Sequence, residues 1–525
     1  VTVFEASAPM LPEIFALHGK WQPHKEAVIC DDTRLSWAEF CAANHQFAHG
    51  LLSRGINEGD RVGVVMSNGL PMVQALYGTM AAGAVSVPIN LSVSDDAIVS
   101  MFHDAQISVL VVTPDQRVRL DGIAAQLPQT LKLCIDTGDE VAQESADTHW
   151  LNLAQLCKGQ PTTLPALALS ADSPLNIIYS SGTTGLPKGI LHTHRGRRDW
   201  AYDLAIALRY HSGARTLLTI GLYSNIVWVA MLATLLAGGT LVVHRKFDAR
   251  VFLETTEREK ITHTAMVPIQ FQRVAEAQRD IHADVSSLQA MMSAGSPLHE
   301  NLKRELFSLI PCGVIELYGL TEGIITTLDP EDANGRWSSV GRPLIGTDIS
   351  IIDDKDQQVA PGVSGEIVSR GRITMPGYWQ REDANQDAEY IDEAGVQWLR
   401  SGDIGYVDDE GFLYIVDRKK DMILSGGQNI YPQDIEAVLV EHVDIDDVAV
   451  IGAASVRWGE TPVALVVLRG AAQTDKEAIC TWANERLGKQ QRLADVVLVD
   501  ELPRNPNGKL LKRELRKTFG ALLYD

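Results

Sequence analysis

Between Ile177 and His194 the chain reads IIYSSGTTGLPKGILHTH, a β-rich run that enters a loop suited to an anion. Gly182, Gly185 and Gly189 remove the Cβ atoms that would hold a ligand away from backbone N–H groups. Ser180, Ser181, Thr183 and Thr184 add hydroxyl donors, and Lys188 adds a mobile positive charge. Such a loop can hold the β- and γ-phosphates of a nucleotide. It is not a Walker loop, which needs Gly-Lys-Ser/Thr entering a helix; here Pro187 precedes Lys188 and Gly189 follows it. The plain alternative is a flexible Ser/Gly turn. Three donor types packed into one short stretch weigh against that alternative.

The surrounding pattern supplies elements to hold the loop. SWAEFCAANHQFAHGLLSRG reads as an amphipathic helix opened by Ser36 and closed by Gly55. RVGVVMS, VSVPIN and ISVLVVT read as buried strands, with a helix over PMVQALYGTMAAGA. Strands separated by helices predict right-handed crossovers and a mostly parallel sheet. A second such run covers Leu175 to Tyr318, through ARTLLTI, TLVVH, HTAMVP, LQAMMSAG and VIELYG. The more polar stretch from about Asp136 to Asp172 is predicted to be an irregular connection. Past Gly341, short runs (TDISIID, SGEIVS, GFLYIVD) predict a β subdomain, and the chain after Asp417 a compact α+β unit. The expected fold class is therefore α/β. A large N-terminal domain of residues 1–417, with mostly parallel sheets flanked by helices plus the β subdomain, precedes a small mobile α+β domain of residues 418–525.

SSGTTGLPKG is followed by YGLTE at Tyr318–Glu322, RSGD at Arg400–Asp403, DRKKD at Asp417–Asp421 and PRNPNGKLLKREL at Pro503–Leu515. In type and order these motifs resemble the adenylate-forming superfamily. That superfamily includes acyl-CoA synthetases, aryl-CoA ligases, beetle luciferases and the adenylation domains of peptide synthetases. The likeness runs from Tyr179 to Lys509, with a weaker echo upstream in AAGAVSVPIN. It is most like acyl- or aryl-CoA ligases and says little about the substrate.

The implied reaction has a clear physical need. A free carboxylate is a poor electrophile, so attack on the α-phosphate of ATP makes an acyl-adenylate whose AMP leaves readily to a thiol. Negative charge accumulates at phosphorus, and placed cations and donors should lower that barrier. The resemblance assigns catalysis to Lys509, Glu322, Thr184 and Lys188, with Lys509 bridging carboxylate and α-phosphate. Taken alone, Lys509 could equally be a solvated lysine beside Lys512 and Arg513. Nucleotide binding falls to Ser180, Ser181, Gly182, Thr183, Thr184, Lys188, Glu316, Leu317, Tyr318, Gly319, Thr321, Asp403, Arg418 and Lys509. Within that set Tyr318 is the adenine platform, and Asp403 with Arg418 grips the ribose. Glu322 and Thr184 are the implied Mg²⁺ ligands. Lys420 takes the hinge position, about which the C-terminal domain would swing so that Gly426, Gly427 and Lys246 meet coenzyme A.

For the acyl group the resemblance implicates Tyr223, Ser224, Trp228, Gly295, Leu317 and Gly319. Many relatives carry Pro-Leu-Phe-His where this chain has Gly221, Leu222, Tyr223 and Ser224, so a small hydroxyl replaces the gate histidine. With Gly319 open and no Asp in this segment, a medium-sized aliphatic, alicyclic or aromatic acid is expected rather than acetate or an amino acid. The acceptor is expected to be coenzyme A, the alternative being a carrier-protein phosphopantetheine.

Composition bounds the rest. In 525 residues, 46 basic against 67 acidic side chains leave a net charge of −21, which argues against a nucleic-acid partner. The six cysteines show no metal-ligand spacing, and a reducing cytoplasm is expected. The N-terminal stretch has neither basic nor apolar signal regions. Thr216 to Val243 carries no charged residue, long enough for a membrane span, but Gly221, Ser224, Asn225 and Gly238–Gly239 interrupt it. Strand (Thr216–Ile220), buried helix (Ile226–Ala237) and strand (Leu241–Val243) are predicted instead, without stable membrane insertion. His192 and His194, alternating on one strand face, read as packing residues rather than a zinc pair. A homodimer is left open.

Overall fold

A strand buried on both faces must be apolar at every position, and several segments of this chain meet that condition. The computed structural model describes residues 8–138, 150–180, 187–425, 428–470, 472–489, 491–505 and 509–524. Two units emerge: Val1–Trp337 with Pro343–Asp348 and Arg370–Ala388, and Ser338–Arg342 with Ile349–Ser369 and Glu389–Asp525.

The first unit contains two sheets. One runs in the order Gly377–Tyr378, Gly189–Thr193, Pro174–Tyr179, Val85–Pro88, Arg61–Val65, Val109–Val112, Leu133–Asp136, Trp150–Asn152. Its pairings from Val85–Pro88 through Trp150–Asn152 are parallel. The other aligns Ile315–Gly319, Ala290–Ser293, His263–Met266, Arg215–Leu218, Thr240–Val243 and Glu26–Cys30, all parallel to their neighbours. Alternation sets the layers. Val28, Leu218 and Val243 join Val109 and Val111 in one core, into which the helices Trp37–Ser53, Leu70–Ala81 and Asn225–Leu236 also pack. Ile29 and Leu217 face a second core, and Leu110 and Val112 a third. Double-sided burial explains why these strands read as unbroken apolar runs.

The sequence expectations hold closely here. Ser36 caps its helix by accepting the Glu39 N–H, and Glu39 returns the bond to the Ser36 N–H at 2.8 Å. The uncharged stretch resolves into strand Arg215–Leu218, helix Asn225–Leu236 and strand Thr240–Val243. That helix spans roughly 18 Å at about 1.5 Å per residue, short of a bilayer. Among the described residues no helix is long and apolar enough to cross a membrane. The irregular connection needs correction: Trp150–Asn152 adds a parallel strand and Leu153–Cys157 a short helix. Three strand residues are too few for alternation to register in sequence.

In the second unit, Gln397–Val407 pairs antiparallel with Gly365–Gly371, Glu389–Ile391 and Leu413–Arg418. A six-stranded sheet follows, in the order Gln428–Ile430, Ile423–Ser425, Gly459–Leu468, Ile445–Ser455, Leu523–Tyr524, with Asp495–Leu498 beside Gly459–Leu468. Helices Pro432–Leu439, Lys476–Arg486 and Lys512–Phe519 complete the expected α+β unit.

Candidate active site

In the first unit, the strands flanking the Ser/Thr/Gly-rich stretch pair as a hairpin neck. Pro174–Tyr179 pairs antiparallel with Gly189–Thr193, and the Ser180 N–H donates to the Lys188 carbonyl at 3.0 Å. Ser181, Gly182, Thr183, Thr184 and Gly185 lie outside the described residues. At the neck, the Lys188 ammonium sits 5.0 Å from the centroid of the Tyr378 ring.

Tyr318, Gly319, Thr321 and Glu322 belong to a second hairpin. Ile315–Gly319 pairs antiparallel with Ile325–Leu328, and the Leu320 N–H donates to the Ile324 carbonyl at 2.9 Å. Thr321 and Glu322 thereby stand at the tip. A Cβ on Gly319 would come within 2.5 Å of the Ile324 carbonyl, so glycine is needed there to close the hairpin. Tyr378 donates its hydroxyl to Glu322 Oε1 at 3.0 Å, which joins Glu322 to Lys188 through one ring. Burial, then the Glu322 carboxylate, raise the Tyr378 phenol. Sequence reasoning missed Tyr378, whose only signal was an aromatic residue in a short strand far from either motif.

Glu316 makes contacts that its place in the sequence did not reveal. Its carboxylate is buried and bonded to the Lys303 ammonium, and its Oε1 accepts the Leu298 N–H at 3.1 Å. Lys303 also donates to the Trp337 carbonyl at 2.6 Å. Burial pushes the Glu316 carboxyl up against the pull of Lys303. This carboxylate therefore braces the SAGSPL loop, where Gly295 takes φ +94°, against the strand that carries Tyr318.

The stretch from Ile220 to Leu222 is pinned by Asn68, another residue the sequence left unmarked. Asn68 Nδ2 donates to the Ile220 carbonyl at 2.9 Å and its Oδ1 accepts the Leu222 N–H at 2.8 Å. Tyr223 is half-buried and lies over Gly221, where a Cβ would come within 2.2 Å of its ring. Ser224 is buried. Trp228, at 0% exposure, donates its indole N–H to the Leu222 carbonyl, and Leu317 joins the central core. Both pack into the core, a degree of burial that position along the chain alone could not reveal. Lys246 is exposed, and His192 and His194 are buried.

In the second unit, the antiparallel register places Asp403 opposite Arg418, with Arg418 Nε 3.1 Å from Asp403 Oδ1. Lys509 is half-buried, and its ammonium feels Arg418 and Lys420 as like charges and Asp403 and Asp421 as opposite ones. Burial first, then Arg418 and Lys420, lower it to about 8. Lys420 keeps its side chain largely exposed, yet partial burial and then Arg418 lower it also to about 8. The turn carrying Lys420 is held from below. Arg516 donates to the carbonyls of Lys420 and Asp421, each at 2.6 Å. Asp417 is buried and raised to about 6 by that burial; its Oδ2 accepts the Gln433 N–H at 3.1 Å, at the start of helix Pro432–Leu439. Gly426 and Gly427 lie outside the described residues.

Known proteins share this framework. An AMP-binding enzyme profile matches residues 15–379 and an AMP-binding enzyme C-terminal domain profile matches residues 434–509. A feruloyl-CoA synthase from an Amycolatopsis species is 32% identical over 95% of this chain and 97% of its own. A long-chain-fatty-acid–CoA ligase of Mycobacterium tuberculosis is 31% identical over 93% of this chain and 94% of its own. The structure of o-succinylbenzoate CoA synthetase from Bacillus subtilis with its acyl-adenylate intermediate superposes with TM-score 0.83 at 27% identity, covering 98% of this chain and 100% of that one.

Proposed function

The chain belongs to the AMP-binding enzyme family and is an ATP-dependent acid–CoA ligase; from that premise we propose how its residues divide the work. Lys509 bridges the acid's carboxylate and the α-phosphate, neutralising charge as the acyl-adenylate and pyrophosphate form. Asp403 and Arg418 hold the ribose, Tyr318 the adenine face, Thr321 the α-phosphate, and Ser180 with Lys188 the outer phosphates. Glu322, fixed by Tyr378, offers the hard carboxylate oxygen that Mg²⁺ takes, with Thr184 as its companion; a bound Mg²⁺ supplies further neutralisation at the phosphates. Residues 418–525 then move about Lys420 relative to residues 1–417, withdrawing Lys509 so that the CoA thiol displaces AMP near Gly426 and Gly427.

The observation carrying this reading is the gathering of Lys509, Lys420, Asp403 and Arg418 around one charged spot from separate stretches of chain. The substrate is a medium-sized aliphatic, alicyclic or aromatic acid, in keeping with relatives named for ferulate and for long-chain fatty acids. The cytoplasm, with its ATP and CoA, suits six free cysteines. A panel of carboxylic acids assayed for CoA-dependent release of AMP tests the substrate. Best turnover is expected with a medium-sized acid, and a clear optimum at acetate or at an amino acid would overturn the assignment.

A further inference from the structure

One buried charge has no part in the scheme above. Arg197, on helix His194–Ala207, is 1% exposed and forms no ion pair among the described residues. Its Nε donates to Asn176 Oδ1 at 3.1 Å and its Nη2 to Asn225 Oδ1 at 2.8 Å. The rings of Trp200 and Trp228 lie 4.5 and 5.4 Å from the guanidinium carbon. A buried cation is ordinarily matched by a carboxylate. Here amide oxygens and aromatic faces take that place.

The arrangement has a directional consequence. Guanidinium carries donors and no acceptor, so it can bond only the oxygen of an amide. Arg197 therefore fixes the rotamer of Asn225, with Oδ1 turned to the charge and Nδ2 turned away. Asn225 is half-buried in the first turn of helix Asn225–Leu236, and its Nδ2 has no partner among the described residues. It follows directly on Ser224, whose side chain makes no capping bond to that helix. Behind the guanidinium, Asn176 Nδ2 and His192 Nε2 are buried without partners. His192 and Asn176 are direct cross-strand neighbours. Burial lowers Arg197 to about 9, which leaves it cationic at neutral pH. The segment thus presents an aimed amide donor backed by an unneutralised positive charge.

We propose that the acyl site selects an acid bearing a further acceptor oxygen on its acyl group, with Asn225 Nδ2 donating to that oxygen and Arg197 acting as the positioning residue behind it. This rests on the reading that the segment Gly221–Trp228 borders the acyl group. A second carboxylate, a carbonyl and an ether oxygen share the required chemistry. The positive charge ranks the anionic form first.

Matched acids assayed for CoA-dependent AMP release test it: cinnamate against para-methoxycinnamate and para-carboxycinnamate, and heptanoate against heptanedioate. The wild type is expected to favour the acceptor-bearing member in kcat/KM. Arg197→Met and Asn225→Leu should each reduce that preference by about tenfold or more, because a donor built for an oxygen discriminates strongly. Arg197→Lys should restore part of it, and Asn225→Asp, which turns an anion toward the site, should make the dicarboxylate the worst substrate. KM for ATP should not move. Absence of any preference in the wild type, or equal losses for both members of each pair, would overturn the proposal. If Arg197→Met does not fold, the two Asn225 variants decide alone. Ser224→Phe separates the underlying reading. If it leaves KM for every acid unchanged, the segment does not border the acyl group; if it blocks the acids while the Asn225 variants leave the preference intact, only the acceptor proposal fails.

Discussion

Lys509 is a cation among cations, and the role proposed for it requires the proton it is close to losing. Burial, with Arg418 and Lys420 nearby, brings it to about 8, so the ammonium form predominates near pH 7 and is lost above 8. Adenylation, followed as ATP–pyrophosphate exchange, should fall as pH rises through about 8, and Lys509→Arg should carry any residual activity to higher pH. The sequence named Lys509, Asp403 and Arg418 because each stands in a motif. It could not show that Asp403 faces Arg418, since a fifteen-residue separation becomes a contact only through antiparallel register. Nor could it show the close approach of the Ile324 carbonyl that calls for glycine at position 319. Tyr378 acts through one hydrogen bond to a distant segment and Asn68 through its amide's bonds to Ile220 and Leu222, and residue type alone does not reveal such bonds.

At the level of elements, hairpins carry several residues of the proposed site and buried polar contacts brace them. The Lys303–Glu316 pair ties the SAGSPL loop to the strand Ile315–Gly319. Removing one partner leaves the other charged and buried, so Lys303→Met should cost about 3–5 kcal/mol in denaturant unfolding. The double variant Lys303→Met, Glu316→Leu should recover most of that loss. The turn after Asp417 is held differently, by Arg516 on two carbonyls, and its φ angles must change if residues 418–525 reorient. Lys420→Pro should therefore slow thioester formation more than adenylation when the half-reactions are timed separately; an equal effect on both would remove the hinge. Strands were legible wherever apolar runs lay between helices, as with Val109–Val112 and Leu241–Val243. The three-residue strand Trp150–Asn152 was not, since so short a run carries no period.

For the molecule as a whole, buried imidazoles govern acid stability. Burial lowers His194 and His263 to about 4 and His192 well below its usual value. As pH falls below about 6.5 the unfolded chain binds these protons first, so stability drains between about 6.5 and 4. Glu259, held low by its Arg34 hydrogen bond, acts in the same direction, while Asp417, raised to about 6, opposes them. The balance predicts a Tm that declines as pH is lowered from 6.5, and a shallower decline in His194→Gln. Layered α/β architecture and two-part organisation were readable from patterning and motif order, whereas the polarity around Arg197 was not, because nothing local distinguishes a buried arginine from a solvated one. In the proposed mechanism Lys509 serves the first half-reaction and not the second. With Lys509→Ala, ATP–pyrophosphate exchange should be nearly abolished while CoA still consumes a preformed acyl-adenylate at close to the wild-type rate. Equal loss of both half-reactions, or exchange that survives, would contradict it.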